Sequence, residues 1–447
     1  MPRRARIVAG PRLAPAAVAG LPLALGGGAV GLSACLAFDA VLMLGAAIEG
    51  RSLASRVPTL ERRVAPQLRH GVAHTVVLRV HNPTPRTVRV CVRDDLPEGW
   101  EAEPAEHRVE LPPWAHRDLS YTVVPPRRGR ASFGALHVRI DGPLGLGAAI
   151  VEIEAATEIK VVPSVAGASR TDLAARTGVL QAGGVRPVRR PGGGGEFSHL
   201  REYVKGDPFR DLDWKSSARR QRPVTRVLQE ERSQQVVLAL DVGRMMATRL
   251  DDGAAAGGVS RTKLDHAIQA ALRLSQVAMR HGDRVGLVVF AGEVRAFVPP
   301  SRGPVQQRRL LDALHAVEAE PVHVDFRRFV EFTRERVPRR SLVVIFSDLL
   351  DEAYAGPLAE HAAVLRTRHL AMCVTMHDPV AEALAVQPPN RPGDVYERAA
   401  AADLLAERRA VEARLRHAGV AVVSASAGEL AVATLGRYLE IKARHAL

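Results

Sequence analysis

The chain has 447 residues, of which 47% are hydrophobic, 4% aromatic and 25% charged, with a formal net charge of +14. That length allows two or three domains, and the hydrophobic share is that of folded protein, which excludes a disordered chain. The positive balance suits an anionic membrane surface better than nucleic acid, because the basic residues are spread out and no zinc finger, RNP aromatic pattern or basic heptad helix is present.

Residues 1–12 form a basic N-terminus with Arg3, Arg4, Arg6 and Arg12. The next 36 residues, Leu13 to Ile48, contain no Lys, Arg or Glu. A single spanning helix needs roughly 20 apolar residues, so this run suffices for a transmembrane hairpin over 13–49 that turns near Gly26–Gly28, or for one long helix. A signal peptide has a shorter apolar core. Arg51, Arg56, Arg62 and Arg63 follow the run. Basic residues stay on the cytoplasmic side, so positive charge at both ends predicts a hairpin with both ends inside and the soluble domains in the cytoplasm, at a bacterial inner membrane. Asp39 is costly in lipid and is expected near a helix end or capping the turn.

From 64 to 163 the pattern has period two. HTVVLRVHN and RTVRVCVRD flank the turn NPTP, and HRVELPP, DLSYTVVP, SFGALHVRI and EIKVVP follow at short spacing. Six or seven short strands predict a β-sandwich, immunoglobulin-like in architecture only, since no Cys-Trp-Cys framework exists. Residues 164–195 end in RPVRRPGGGG and read as a flexible linker. The three cysteines, Cys35, Cys91 and Cys373, lie far apart and form no Cys-x-x-Cys pair, which excludes a cysteine zinc site. Residues 196–234 are dense in mixed charge around Trp214, with a turn at Gly206-Asp207-Pro208. A ring of that size amid Arg210, Asp211, Asp213, Lys215 and Arg219 predicts a folding clamp with Trp214 packed, or a docking surface. On either reading Arg201 and Lys205 are expected to be exposed.

From 235 to 447 near-continuous apolar strands alternate with helices. QVVLAL, DRVGLVVF, VRAFVPP, SLVVIF, HLAMCVTM and VAVVSA are the strands, and 264–281, 306–317, 326–336, 401–417 and 430–445 are the best-marked helices. This is the pattern of an α/β domain whose mostly parallel sheet is covered on both faces. No P-loop, GxSxG or HExxH motif occurs, and His369 beside a strand is expected to be packed and not a base. Ligands of such sheets bind beyond the C-terminal strand ends, where Asp241 follows VVLAL and Asp348 follows LVVIFS.

EFSHLREYVKGDPFRDLDWKSSARR (196–220), RRGRASFGALHVRIDGPLGL, GDRVGLVVF, RRSLVVIFSDLLD and RYLEIKAR resemble segments of the bacterial domain-of-unknown-function 58 family. The resemblance covers nearly the whole chain and implies a von Willebrand factor A-like (Rossmann-like) domain over 235–447. In such domains an Asp-x-Ser-x-Ser loop, a threonine loop and a strand-end Asp hold a hard cation such as Mg²⁺. Here DVGRMM puts Gly243 and Met245 in place of the serines, and Asp325 falls about where the threonine loop lies. The resemblance therefore implies a degenerate metal site of Asp241, Asp348 and Asp325, with Mg²⁺ as candidate ion and no cofactor certain. It also implies a MoxR-type AAA+ ATPase as partner, so the expectation is a membrane-anchored, non-enzymatic scaffold or adaptor with no small-molecule substrate. Arg201, Lys205, Asp207, Arg210, Asp211, Asp213, Trp214 and Arg219 are its candidate docking residues. The alternative is an Mg²⁺-dependent hydrolase using Asp241 and Asp348.

Overall fold

The structure, a computed structural model, describes residues 3–22, 28–54, 56–164, 195–230, 234–250, 261–348, 352–377, 379–389 and 391–444. The chain divides into two compact units, one over Met1–Ser164 and one made of the described residues that follow.

The first unit contains β1 (Arg3–Ala9), α1 (Leu13–Val18), α2 (Gly28–Ala54), β2 (Thr59–Arg63), β3 (Gln67–Arg69), β4 (His74–His81), β5 (Val88–Asp94), β6 (Ala102–Glu103), β7 (His107–Leu111), β8 (His116–Val123), β9 (Gly129–Phe133), β10 (Leu136–Asp141), β11 (Gly147–Ile153) and β12 (Thr157–Val162). Its sheets run β1-β11-β10-β5-β7, β2-β4-β8-β6 and β3-β12-β9. Alternate residues of each strand point inward, as the pleat requires. Val76, Leu78 and Val80 of β4 share one core with Val88, Val90 and Val92 of β5, Val138 and Ile140 of β10 and Phe133 of β9. The layers are those of a β-sandwich, but the unit starts before residue 64. β2 pairs with β4, and β1 pairs antiparallel with β11 from Arg3↔Ile153 to Ala9↔Gly147. The expected free basic N-terminus is thus a sheet strand.

Arg62, expected to flank the membrane, is instead buried in the sandwich. Its guanidinium meets the Asp94 carboxylate, donates to the carbonyls of Ala155 and Gly134, and lies 4.9 Å from the centroid of the Phe133 ring. The Tyr121 hydroxyl donates to the same carboxylate. Burial, then Asp94, pushes the Tyr121 phenol far above its ordinary value, so it stays a donor.

Of the expected hairpin, the structure describes one short helix and one long apolar helix. α2 is a single helix of 27 residues with mean hydropathy 1.9 in its most apolar window, and among the described residues it is the one helix long and apolar enough to cross a membrane. α1 has six residues, too few to span. Most of the expected turn at Gly26–Gly28 lies outside the described residues; Gly28 opens α2. Asp39 sits mid-helix and not at an end, with Oδ1 buried and without a hydrogen-bond partner among the described residues.

The C-terminal turns of α2 are rooted in the sheet. The Glu49 carboxylate accepts from the backbone N–H groups of Leu144 (2.8 Å), Leu146 (3.0 Å) and Gly147 (2.8 Å). Gly50 and Gly147 are required there, since a Cβ would lie 2.3 Å from the Ile7 side chain and 2.2 Å from the Ala46 carbonyl oxygen respectively. The IDGPLGL stretch is therefore the seat of a helix.

The second unit begins with β13 (Gly195–Glu202), a 3-10 turn at Phe209–Asp211, α3 (Trp214–Arg220) and β14 (Val224–Glu230). Then come β15 (Gln235–Asp241), β16 (Arg249–Leu250), β17 (Arg261–Thr262), α4 (Lys263–Arg280), β18 (Arg284–Phe290), β19 (Val294–Ser301), α5 (Pro304–Leu314), α6 (Phe326–Arg336), β20 (Leu342–Phe346), α7 (Glu352–Arg366), β21 (Leu370–Met376), α8 (Pro379–Val386), α9 (Pro392–His417), β22 (Ala421–Ala425) and α10 (Leu430–Ala443). The expected linker at 164–195 lies almost wholly outside the described residues.

The main sheet has the order β19-β18-β15-β20-β21-β22, parallel except for the antiparallel edge pair β18–β19. α4, α5 and α10 pack one face with Val236, Leu238 and Leu240, while α6, α7 and α9 pack the other with Val237 and Ala239. From β15 the chain moves outward to β18 and β19, then returns to the other side of β15 for β20. The strand order reverses there, which in sheets of this kind is where the crevice lies, beyond the C-terminal ends of β15 and β20.

At the opposite edge Asp283, fully buried, accepts from the Tyr438 hydroxyl and from Lys442 Nζ at 2.6 Å. GDRVGLVVF and RYLEIKAR, far apart in sequence, are thereby one interior contact.

These ion pairs differ in worth by their exposure. Arg62→Met should cost roughly 3–5 kcal/mol, because it strands a buried carboxylate. Arg79→Met, which breaks the exposed Arg79–Asp118 pair, should cost under about 1 kcal/mol. Chemical unfolding of the two variants checks the contrast; equal losses would refute it.

Candidate functional site

Asp241 and Asp348 are both fully buried at the crevice. Asp241 ends β15; its Oδ1 accepts from the Gly243 N–H at 2.7 Å and its Oδ2 from the Ser347 hydroxyl at 2.6 Å. Asp348 follows β20 by two residues, and its Oδ2 accepts from Lys263 Nζ at 2.5 Å. That lysine escaped the sequence reading. It opens α4, where a capping box of Thr262 and Asp265 sets the start of the helix. A cation at a helix N-terminus opposes the macrodipole, yet the Lys263 side chain is only 3% exposed. A charge so placed needs a buried anion, and Asp348 is that anion. The one available signal was a Lys beside a capping box, Thr262-x-x-Asp265, ahead of a strongly amphipathic helix.

Asp325 does not join the pair. It caps α6, accepts from the Arg328 N–H at 3.0 Å and lies 3.3 Å from Arg328 Nε. The loop after Asp241 is a 3-10 turn, Arg244–Ala247, whose Gly243 and Met245 supply no side-chain oxygen. Among the described residues no group of three or more His, Cys, Asp and Glu side chains is placed to hold a metal ion. The donor set does not fit Mg²⁺. Asp348 Oδ2 is taken up by an ammonium, and the two oxygens of Asp241 by an N–H and a hydroxyl. Asp348 Oδ1, buried and without a hydrogen-bond partner among the described residues, is one oxygen, whereas Mg²⁺ requires near-octahedral oxygen ligands.

Two other reactive groups near the sheet are chemically quiet. Cys373 in β21 is fully buried, and burial, with Glu412 and the two acids adding, pushes its thiol up to about 12. His369 precedes β21 at the edge opposite the crevice, 3% exposed, with neither ring nitrogen hydrogen-bonded among the described residues. Burial, then Arg368 and Arg334, lowers it to about 4, so it is a packed neutral ring.

The 196–220 segment folds as a hairpin of β13 and β14 with the 3-10 turn and α3 between them. Asp213 caps α3, accepting from the Ser216 N–H at 2.9 Å and from Arg226 Nε at 2.8 Å. Those two contacts hold its carboxyl below the usual range. Asp207 accepts from Arg201 at 2.6 Å and from the Val204 N–H at 3.0 Å, and Arg201 chiefly lowers its carboxyl in the same way. Asp207, Asp213 and Arg201 thus build the hairpin, although Arg201 was expected as a free docking charge. Asp211 is half-buried, Lys205 and Arg219 are exposed, and the Arg210 side chain lies outside the described residues.

Trp214 corrects the clamp expectation. It is 70% exposed, beside Phe209 at 72% and Val204 at 60%. The interior of the hairpin is filled by Leu212 and Val224 instead. α3 starts at Trp214 itself, so the ring leaves the first turn outward while Asp213 turns in to cap.

The family model described as "Protein of unknown function DUF58" matches residues 199–421, which run from the hairpin to the start of β22. An uncharacterized protein of Mycobacterium tuberculosis is 29% identical over 192 residues, 42% of this chain and 57% of the relative. The uncharacterized Bacillus subtilis protein YeaD is 31% identical over 172 residues, 37% of this chain and 42% of the relative. The chain thus spans about half the length of the curated relatives it matches. A solved structure of the conserved hypothetical protein BatB from Bacteroides thetaiotaomicron aligns to 47% of this chain and all of its own at 14% identity, with a TM-score of 0.32.

The lowered His369 makes stability depend on pH. Its folded value of about 4 lies below the ordinary 6.5, so the unfolded chain binds more protons between the two. Stability from this group is then full above about 6.5 and falls as pH drops toward 4. His369→Phe should flatten the melting temperature across that window, and an unchanged slope in the variant would refute the assignment.

Proposed function

Because the chain belongs to the DUF58 family of proteins of unknown function, we propose that it is a membrane-attached, non-catalytic docking module for a MoxR-type AAA+ ATPase, the partner that family resemblance implies. The exposed trio Val204, Phe209 and Trp214 carries this reading. The rings lie in the segment most specific to the family, next to exposed Lys205 and Arg219. Aromatic anchors ringed by charge are what protein interfaces concentrate. A Trp that fills no core makes its contribution at a surface. The second unit reads as von Willebrand A-like, supported by its strand order and by two acids in the crevice. Asp348 is held by Lys263, and that favours the docking role over a hydrolase using Asp241 and Asp348.

Attachment rests on α2. Val30, Val41, Met43 and Leu44 are 63–78% exposed. The stretch from Gly28 to the rooted turn at Ala46 has about 18 residues, about 27 Å of helix against a hydrocarbon core of about 30 Å. β1 precedes the apolar stretch and β11 follows it, and the two are hydrogen-bonded partners. Both flanks of the stretch therefore lie on one side of any bilayer it enters, and the basic N-terminal residues make that the cytoplasmic side.

Topology and docking are tested separately. A reporter active only in the cytoplasm, fused after Leu447, should be active, as should one fused ahead of Met1; opposite signals from the two would refute the same-side topology. For docking, Phe209→Ala and Trp214→Ala should each move stability by no more than about 0.5 kcal/mol, as at other surface positions, yet remove co-purification with the ATPase. Full co-purification by both folded variants would rule out docking through the hairpin.

A further inference from the structure

We propose that Lys263 is a built-in cation. Its ammonium serves the acid pair at the ends of β15 and β20 as a bound divalent ion would, so the crevice of the second unit is closed without metal. This inference stands whether or not the hairpin docks a partner.

Two carboxylates without water must be neutralised or given donors. Asp241 takes the Gly243 N–H and the Ser347 hydroxyl, both from the strand ends themselves. Those contacts are neutral. Asp348 Oδ2 takes a charged group, Lys263 Nζ at 2.5 Å, while its Oδ1 is buried without a hydrogen-bond partner among the described residues. The lysine comes from the first turn of α4, which packs across the face of β15 and β18. One side chain thus ties the start of a helix to the end of β20, as a metal ion ties loops by shared coordination. The charge balance follows the same substitution, with two acids and one fixed positive charge.

The donor set has shifted in step with this. Gly243 and Met245 provide no hard oxygen for an ion. An ammonium bonded to Asp348 repels a second cation at the same oxygen and blocks its approach. An ion held in such a crevice can still accept a ligand's carboxylate. The Lys263 head cannot, because its side chain is 3% exposed and directed at Asp348.

The experiment is thermal unfolding of the detergent-solubilised full chain in EDTA, Mg²⁺ or Mn²⁺. The wild-type melting temperature should be the same in all three. Lys263→Met should lower it, and Asp348→Asn added to Lys263→Met should restore most of the loss, because both charges then leave together. In Lys263→Ala the Asp348 carboxylate loses its ammonium, and Mn²⁺ should raise the melting temperature by roughly 2–4 °C or more. Adding Asp241→Asn to Lys263→Ala should abolish that rise. If Lys263→Met does not fold but the double variant with Asp348→Asn does, the charge role stands. A wild-type protein stabilised by Mg²⁺ or Mn²⁺ would overturn the proposal. So would a Lys263→Met loss that Asp348→Asn does not recover, or a Lys263→Ala protein indifferent to Mn²⁺.

Discussion

A carboxylate removed from water has to be met by a charge or by several donors, and this requirement organises both units. Asp94 is met by Arg62 and Tyr121. Glu49 is met by three backbone N–H groups of the β10–β11 turn. Asp283 is met by Tyr438 and Lys442, and Asp348 by Lys263. Each pairing joins residues at least 27 positions apart, and the Asp283–Lys442 pair spans 159. Apolar packing supplies most of the free energy of folding but is tolerant of register and partner. A buried acid is not tolerant, since removing its partner costs several kcal/mol. Three of these contacts therefore fix where a helix lies, and the fourth, among Arg62, Asp94 and Tyr121, joins three strands.

The pairing of β1 with β11 imposes a second constraint, on the apolar stretch. A strand that precedes the stretch and a strand that follows it belong to one sheet. Glu49 then holds the last turns of α2 against that sheet, so only the part from Gly28 to about Ala46 projects with its apolar side chains exposed. Length and hydropathy alone describe a single spanning helix equally well. Sheet pairing adds what they lack, since the two flanking strands lie side by side.

Much of the architecture was legible because it depends on periodicity. Period-two runs marked the sandwich strands, and continuous apolar runs such as SLVVIF marked buried parallel strands. What escaped was pairing at a distance. Arg3 to Ala9 reads as a basic tail because alternation over seven residues, three of them arginine, is weak beside charge; its strand state comes from the exposed edge of β11. Arg62 reads as a membrane flank because nothing local shows that Asp94 and Phe133 will enclose it. At the candidate site, Asp241 and Asp348 were found from strand ends, whereas Lys263 was not, since a lysine in a helix usually faces water. Asp325 was misplaced for a related reason: Asp at a helix start is a cap far more often than a ligand.

Trp214 shows why family-specific segments cannot be read as core on bulk alone. Its burial was expected from the size of the ring among charges, on the premise that water would not favour such a side chain. The charges beside it turned out to have local work. Asp213 caps α3 and holds Arg226, and Asp207 holds Arg201 and the turn. With the hairpin stabilised by those bonds and by Leu212 and Val224 inside, Trp214 and Val204 stay outside its interior, and Phe209, though exposed, lies beside the Tyr203 ring at 5.9 Å between centroids. Exposed apolar side chains grouped on one surface mark a place of contact more often than scattered ones do. The same reasoning separates the two candidate sites. The crevice acids are buried and bonded from within the chain, save Asp348 Oδ1, which has no hydrogen-bond partner among the described residues, while the hairpin presents rings and charge outward. The hairpin therefore carries exposed apolar surface, and the crevice acids are interior groups of the fold.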